Sequence, residues 1–218
     1  MESEYGMGEC FYYGYGVIQD YSQAKIWYEK AAEQGHAPSM VQMGEIYFNG
    51  FEGEVVLETA AEWYKKAACL EYSDGQYKLA NCYRSGNGVE VDYDIAIELY
   101  EKAAEQEHPS AQRILGDIYY DGEVVEKDLV TAVKWYKKAA NNNNMYGQYK
   151  LGHCYLFKEG IAQNSQQAIY WLERAANQNC ASAQKLLGEC YENGWGVDID
   201  IEKANEYYTL AQSNGYNE

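Results

Sequence analysis

Apolar and small side chains recur along this chain at helical spacings, and the whole pattern returns with a period of 36 residues, as from Gly8 to Gly44. Each copy opens on a bulky residue followed by a small one: Met7-Gly8, Met43-Gly44, Leu79-Ala80, Leu115-Gly116, Leu151-Gly152 and Leu187-Gly188. Three residues later stands an aromatic (Phe11, Tyr47, Tyr83, Tyr119, Tyr155, Tyr191), and sixteen later an alanine (Ala24, Ala60, Ala96, Ala132, Ala168, Ala204). A bulky pair follows, as in Trp27-Tyr28 and Trp135-Tyr136, and then an Ala-Ala pair that decays to Ala211-Gln212 in the last copy. Spacings of three, four and seven describe a helix face, not an alternating strand. Six copies in one register are the signature of stacked repeats.

Gly-x-Gly segments (Gly14 to Gly16, Gly86 to Gly88, Gly194 to Gly196) break the pattern between two helical stretches in three of the six copies. Asp20, Asp92 and Asp200 stand where the second helix begins, and a carboxylate there satisfies free amides. The pattern therefore predicts twelve helices in six hairpins, with breaks near 14–20, 50–56, 86–92, 122–128, 158–164 and 194–200. Gly44 sits inside a helix, where glycine costs about 1 kcal/mol relative to alanine. Its recurrence marks a close contact between helices, for which Ala80 is the nearest substitute. Two loops depart from the pattern. Repeat two has Glu52 and Gly53 in the glycine-valine positions and Val56 in place of the capping Asp; repeat five has Lys158 and Asn164 in place of Gly and Asp.

The segments "LGDIYYDGEVVEKDLVTAVKWYKKAA" and "MGECFYYGYGVIQDYSQAKIWYEKAA" resemble the Sel-one-like repeat (SLR) family, relatives of the tetratricopeptide repeats. The resemblance covers nearly the whole chain. It implies an all-α, right-handed α-solenoid, a single repeat domain over 1–218 with units at about 1–36, 37–72, 73–108, 109–144, 145–180 and 181–218. It also implies a non-enzymatic adaptor that holds a peptide or protein segment in a concave groove.

Composition narrows the partners. The chain carries 17 basic and 34 acidic residues, a net charge of −17, which repels nucleic acid phosphates and anionic lipid headgroups. The expected partner is a protein or peptide of basic character, not nucleic acid or membrane. No apolar run approaches the roughly 20 residues of a membrane span. The start, "MESEYG", lacks the basic and apolar regions of an export signal, so a cytoplasmic location is expected. Cys10, Cys82, Cys154 and Cys190 share one position in the repeat, which Ile46 and Ile118 occupy elsewhere, so it is an apolar core site. Neighbouring copies stand too far apart for a disulfide. Cys69 and Cys180 have no partner in phase, and all six thiols are expected free.

No catalytic, cofactor or metal constellation emerges. The Gly-x-Gly loops follow a helix and lack the strand of a dinucleotide site. His153-Cys154 has no second pair to complete a zinc tetrad. His36 and His108 lie in phase in the turns between hairpins and read as turn or packing residues. "DIDIE" at 198–202 lacks calcium-loop spacing.

What the repeat leaves over is one stripe on each first helix. At 100° per residue, these positions point away from the Leu and Tyr of the core. They are Tyr5, Glu9, Tyr12; Val41, Glu45, Phe48; Tyr77, Asn81, Arg84; Arg113, Asp117, Tyr120; Tyr149, His153, Leu156; and Lys185, Glu189, Glu192. The stripe varies between copies and is rich in aromatics, which anchor interfaces. It is the predicted partner-binding face. A second reading is an immunity or inhibitor protein that masks a basic toxin; an enzyme with a hidden site is the least supported. The last repeat ends on polar Gln212, Ser213 and Asn214. By contrast Tyr5, Met7, Phe11, Tyr12 and Tyr13 crowd the first helix, so cover by self-association through the N-terminal repeat, or by a segment upstream of it, is expected.

Overall fold

A computed structural model describes residues 1–51 and 53–216; Glu52, and with it the departure expected at that position, lies outside the described residues. Among the described residues there are twelve helices and no strand. They divide between two compact units, one up to Gln106 and one from Glu107. The first holds α1 (Glu2–Tyr13), α2 (Tyr21–Glu33), α3 (Ala37–Asn49), α4 (Leu57–Cys69), α5 (Ser73–Ser85) and α6 (Tyr93–Glu105). The second holds α7 (Pro109–Asp121), α8 (Leu129–Asn141), α9 (Met145–Phe157), α10 (Ser165–Ala176), α11 (Ala181–Asn193) and α12 (Ile201–Ser213). The breaks fall where the pattern places them. Within each unit every first helix packs on its own second helix, and each second helix on the next first helix.

Side chains and backbone together end the helices. Asp20, Asp92, Asp128, Asn164 and Asp200 each accept a backbone N–H from the first turn of a second helix. Asn164 thus replaces Asp without losing the cap, whereas Val56 supplies none. His36 and His108 cap α3 and α7 through Nδ1, so these are turn residues. First helices close on a left-handed residue, glycine in five repeats and Lys158 at φ 61° in the fifth. A side chain in that region costs roughly 1–2 kcal/mol, which Lys158 bears.

The recurrent glycine of the first helix accommodates a buried tyrosine of the second. A Cβ on Gly44 would stand 2.3 Å from Cε1 of Tyr64, and one on Gly116 2.4 Å from Cε1 of Tyr136. In repeat five Leu172 fills the same place against Gly152. The second loop glycine serves stacking: a Cβ on Gly88 would stand 2.1 Å from the Leu57 carbonyl oxygen, and one on Gly160 2.1 Å from that of Leu129.

A polar lock accompanies the apolar core. Gln76, Gln112, Gln148 and Gln184 are buried near the starts of first helices. Each accepts an amide N–H from the residue closing its own hairpin: Gln106 (2.9 Å), Asn142 (3.0 Å), Gln178 (2.8 Å) and Asn214 (3.0 Å). Gln148 and Gln184 also donate to the carbonyls of Ala140 and Ala176 on the preceding helix. These amides satisfy groups at helix ends that burial would otherwise leave unpaired. Repeat two has Met40 and Leu70 in these two positions, an apolar pair in place of the polar one.

All six cysteines are free. Cys82, Cys154, Cys180 and Cys190 are buried, Cys10 is half-buried and Cys69 is exposed. Burial pushes the Cys82 thiol up to about 11 and those of Cys154 and Cys190 up to about 12, far from nucleophile chemistry.

Candidate functional site

The stripe lies on the first helices, but it is not free of the fold. In the first unit Tyr5, Glu9, Tyr12, Glu45, Phe48, Tyr77 and Asn81 are half-buried and Arg84 is exposed. Val41 is only 6 % exposed and belongs to the core that Tyr64 and Leu79 share. The helical wheel placed it opposite the core, and the structure corrects this. The reason is lateral packing: α3 meets α5 as well as its own α4, so one flank of each first helix is also interior.

The middle stripe residue receives the buried tyrosine's hydroxyl. Tyr64 donates to Glu45 at 2.7 Å and Tyr100 to Asn81 at 2.7 Å. Lys78 completes the first pair with an ion pair to Glu45 at 2.7 Å. Desolvation is the main cause that pushes the Tyr64 hydroxyl far above its usual value, and the Glu45 charge adds to it. Tyr5 and Tyr12 flank Tyr28 with ring centroids at 5.7 and 6.2 Å. Tyr12 also meets Tyr13, Tyr21 and Phe51, and Tyr21 stacks on Phe51 at 4.5 Å. Met7 is 38 % exposed, whereas its counterparts Met43 and Leu79 are buried.

In the second unit Arg113, Asp117, Tyr120, Tyr149, His153, Lys185 and Glu189 are half-buried, and Glu192 is exposed. Leu156, at 4 % exposed, is core and corrects the stripe as Val41 does. Tyr136 donates to Asp117 at 2.8 Å, and Asp117 also pairs with Arg113 and, at 4.0 Å, with Lys150. Tyr120 donates to Glu159 at 3.0 Å, and His153 Nδ1 meets the same carboxylate oxygen at 2.9 Å. Lys127 and Lys150 lie over the Tyr120 ring at 5.2 and 5.1 Å. Lys185 pairs with Glu189, and Tyr208 donates to Glu192 at 2.7 Å. Tyr149 packs partly on the core beside it.

Each unit thus presents a face of tyrosine edges among carboxylates and lysines, most of them already paired. The lysine and arginine ion pairs on this face remain partly open to water, which screens them to about 1 kcal/mol each, so a partner can exchange them at small cost. Among the described residues no three or more His, Cys, Asp or Glu group together as metal ligands, and no helix is long and apolar enough to cross a membrane.

Comparison with known proteins now decides the family. The Sel1 repeat matches six times, at residues 2–36, 37–72, 73–108, 109–144, 146–180 and 181–216. The chain belongs to the Sel1 repeat family. Sel1 repeat proteins are protein-interaction modules and in general non-enzymatic. Among solved structures the chain is similar to a protective antigen of uropathogenic Escherichia coli strains with the SLR fold, at 34 % identity and a TM-score of 0.86. That match covers 98 % of this chain and 46 % of the antigen, so this chain spans about half of its length. It is also similar to a Sel1 repeat protein from Oxalobacter formigenes, at 29 % identity and a TM-score of 0.86, covering 96 % and 84 % of the two chains. An immunity protein from Pseudomonas aeruginosa shares the fold at 20 % identity and a TM-score of 0.62, covering 98 % and 81 %. No curated protein matches the chain.

The sequence reading missed the tyrosine-to-stripe bond and the glutamine lock. Both had a signal: tyrosine and stripe residue are 19 positions apart (45 to 64, 117 to 136), and the lock partners 30 apart (76 to 106, 148 to 178).

Proposed function

We propose that the first-helix faces bind a segment of another protein, without catalysis, and that this chain is an adaptor. The observation that carries the reading is the repeated display of half-buried tyrosine and phenylalanine (Tyr5, Tyr12, Phe48, Tyr77, Tyr120) among charged side chains. Such residues give large contact area at small entropic cost. The net charge of −17 favours a partner of basic character and disfavours nucleic acid and anionic membranes. The exposed Met7 and the aromatic cluster around Tyr12 favour self-association through the N-terminal repeat. A cytoplasmic location belongs to the same proposal.

Capture of partners by the immobilised full chain, with mass spectrometry, tests the reading. The protein it retains should be lost when Tyr12, Phe48 and Tyr120 are changed to Ser in a variant that keeps its helical circular dichroism. Retention by that variant would contradict it.

A second reading is an immunity or inhibitor protein. It is favoured by the fold shared with the P. aeruginosa immunity protein, and by an acidic surface that suits a basic toxin. A single captured toxin whose activity the chain blocks at equimolar ratio would select it over the adaptor.

A further inference from the structure

In two repeats the middle stripe carboxylate pairs with a lysine 33 residues further on: Glu45 with Lys78, and Asp117 with Lys150. Where the stripe residue is His153, the same offset leads to Leu186. Repeat one breaks this matching. The offset from Glu9 leads to Gln42, and Glu9 has no ion pair among the described residues. A half-buried carboxylate stands here where the matching position supplies no cation.

A second anomaly lies beside it. Tyr64 and Tyr136 donate to Glu45 and Asp117, and Tyr28 stands in the same relation to Glu9. Yet the Tyr28 hydroxyl, on a side chain 0 % exposed, has no hydrogen-bond partner. Buried hydroxyls are rarely left unpaired, so an orphan calls for an explanation. The rings of Tyr5 and Tyr12 flank it at 5.7 and 6.2 Å. Carboxylate, hydroxyl lone pair and aromatic faces are together the groups that hold an ammonium.

We propose that Glu9, the Tyr28 hydroxyl and the rings of Tyr5 and Tyr12 receive one lysine-type ammonium from a bound partner. The ammonium donates to the Glu9 carboxylate and to the Tyr28 oxygen, and its remaining face meets the rings. It takes the place that Lys78 holds against Glu45. For the identity of its bearer the inference rests on the adaptor reading, but its test uses a small probe, so either can fail alone.

The test titrates the full chain with n-butylammonium and follows the ring resonances of Tyr5, Tyr12 and Tyr28 by NMR, with n-butanol as the neutral control. Saturable shifts in roughly the millimolar range are expected for the ammonium and not for the alcohol. Glu9→Gln should weaken binding at least tenfold. Gln42→Lys, which restores the internal lysine, should abolish it. Absence of saturation, equal response to n-butanol, or unchanged binding in Glu9→Gln or Gln42→Lys would each overturn the proposal. Should Glu9→Gln fail to fold, Gln42→Lys alone still decides.

Discussion

The ring of Tyr64 occupies the space that Gly44 leaves empty, with its Cε1 2.3 Å from where a Cβ would stand. The hydroxyl of the same ring reaches Glu45, the residue after that glycine. One side chain therefore joins the hairpin's core to the face read as partner-binding.

Gly44→Ala should destabilise the first unit although alanine is the better helix former. Overpacking costs about 1–3 kcal/mol, and helix propensity returns about 1. A lower midpoint in urea denaturation, by up to about 2 kcal/mol net, is expected. Greater stability would mean that Tyr64 yields freely and that the glycine has another cause.

Removing only the hydroxyl separates packing from polarity. Tyr64→Phe and Tyr136→Phe each lose a bond to a carboxylate, of about 1.5–3 kcal/mol, from Glu45 and Asp117 respectively. Tyr28→Phe loses no bond and should cost little. Equal losses in all three, by chemical denaturation, would refute the distinction.

The buried tyrosines also set an alkaline limit. In the folded chain burial raises Tyr28, Tyr64 and Tyr136 well above the ordinary value of 10.0. Their neutral form is the folded form, so this stability is complete below about pH 10 and is lost as pH rises above it. Each contributes a fall of about 1.4 kcal/mol per pH unit over that range. Denaturation midpoints should be flat from pH 7 to 9 and then drop, with phenolate absorbance appearing on unfolding. A midpoint that stays level through pH 11 would contradict the burial.

The glutamine lock predicts a coupled pair. Gln148→Met alone takes from Gln178 its shorter acceptor and from the Ala140 carbonyl its buried donor, and should cost about 1–3 kcal/mol. Adding Gln178→Leu reproduces the Met40 and Leu70 pair of repeat two and should recover part of the loss. Strict additivity in a double-mutant cycle would show that the two side chains do not act together.

The hairpins, their breaks and the role of Gly44 were legible because each leaves a mark in every repeat. The thiols were legible for the same reason, since Cys82, Cys154 and Cys190 share a position with Ile46. The stripe was legible only in part. A helical wheel gives a helix two sides, but a first helix in a stack also touches its lateral neighbours, which buries Val41 and Leu156. The hydroxyl bonds and the lock link different helices at 19 and 30 residues. Such offsets become meaningful only once the crossing of the hairpin is known.

Site-specific photo-cross-linking tests the central claim, that the first-helix face is where the partner sits. A benzophenone amino acid is placed at Phe48 or Tyr120 on that face, or at Tyr93 or Tyr170 on second helices, and irradiated with the captured partner. Adducts from Phe48 and Tyr120, and none from Tyr93 and Tyr170, are the predicted result. Adducts confined to Tyr93 and Tyr170 would place the partner on the second helices and contradict the account.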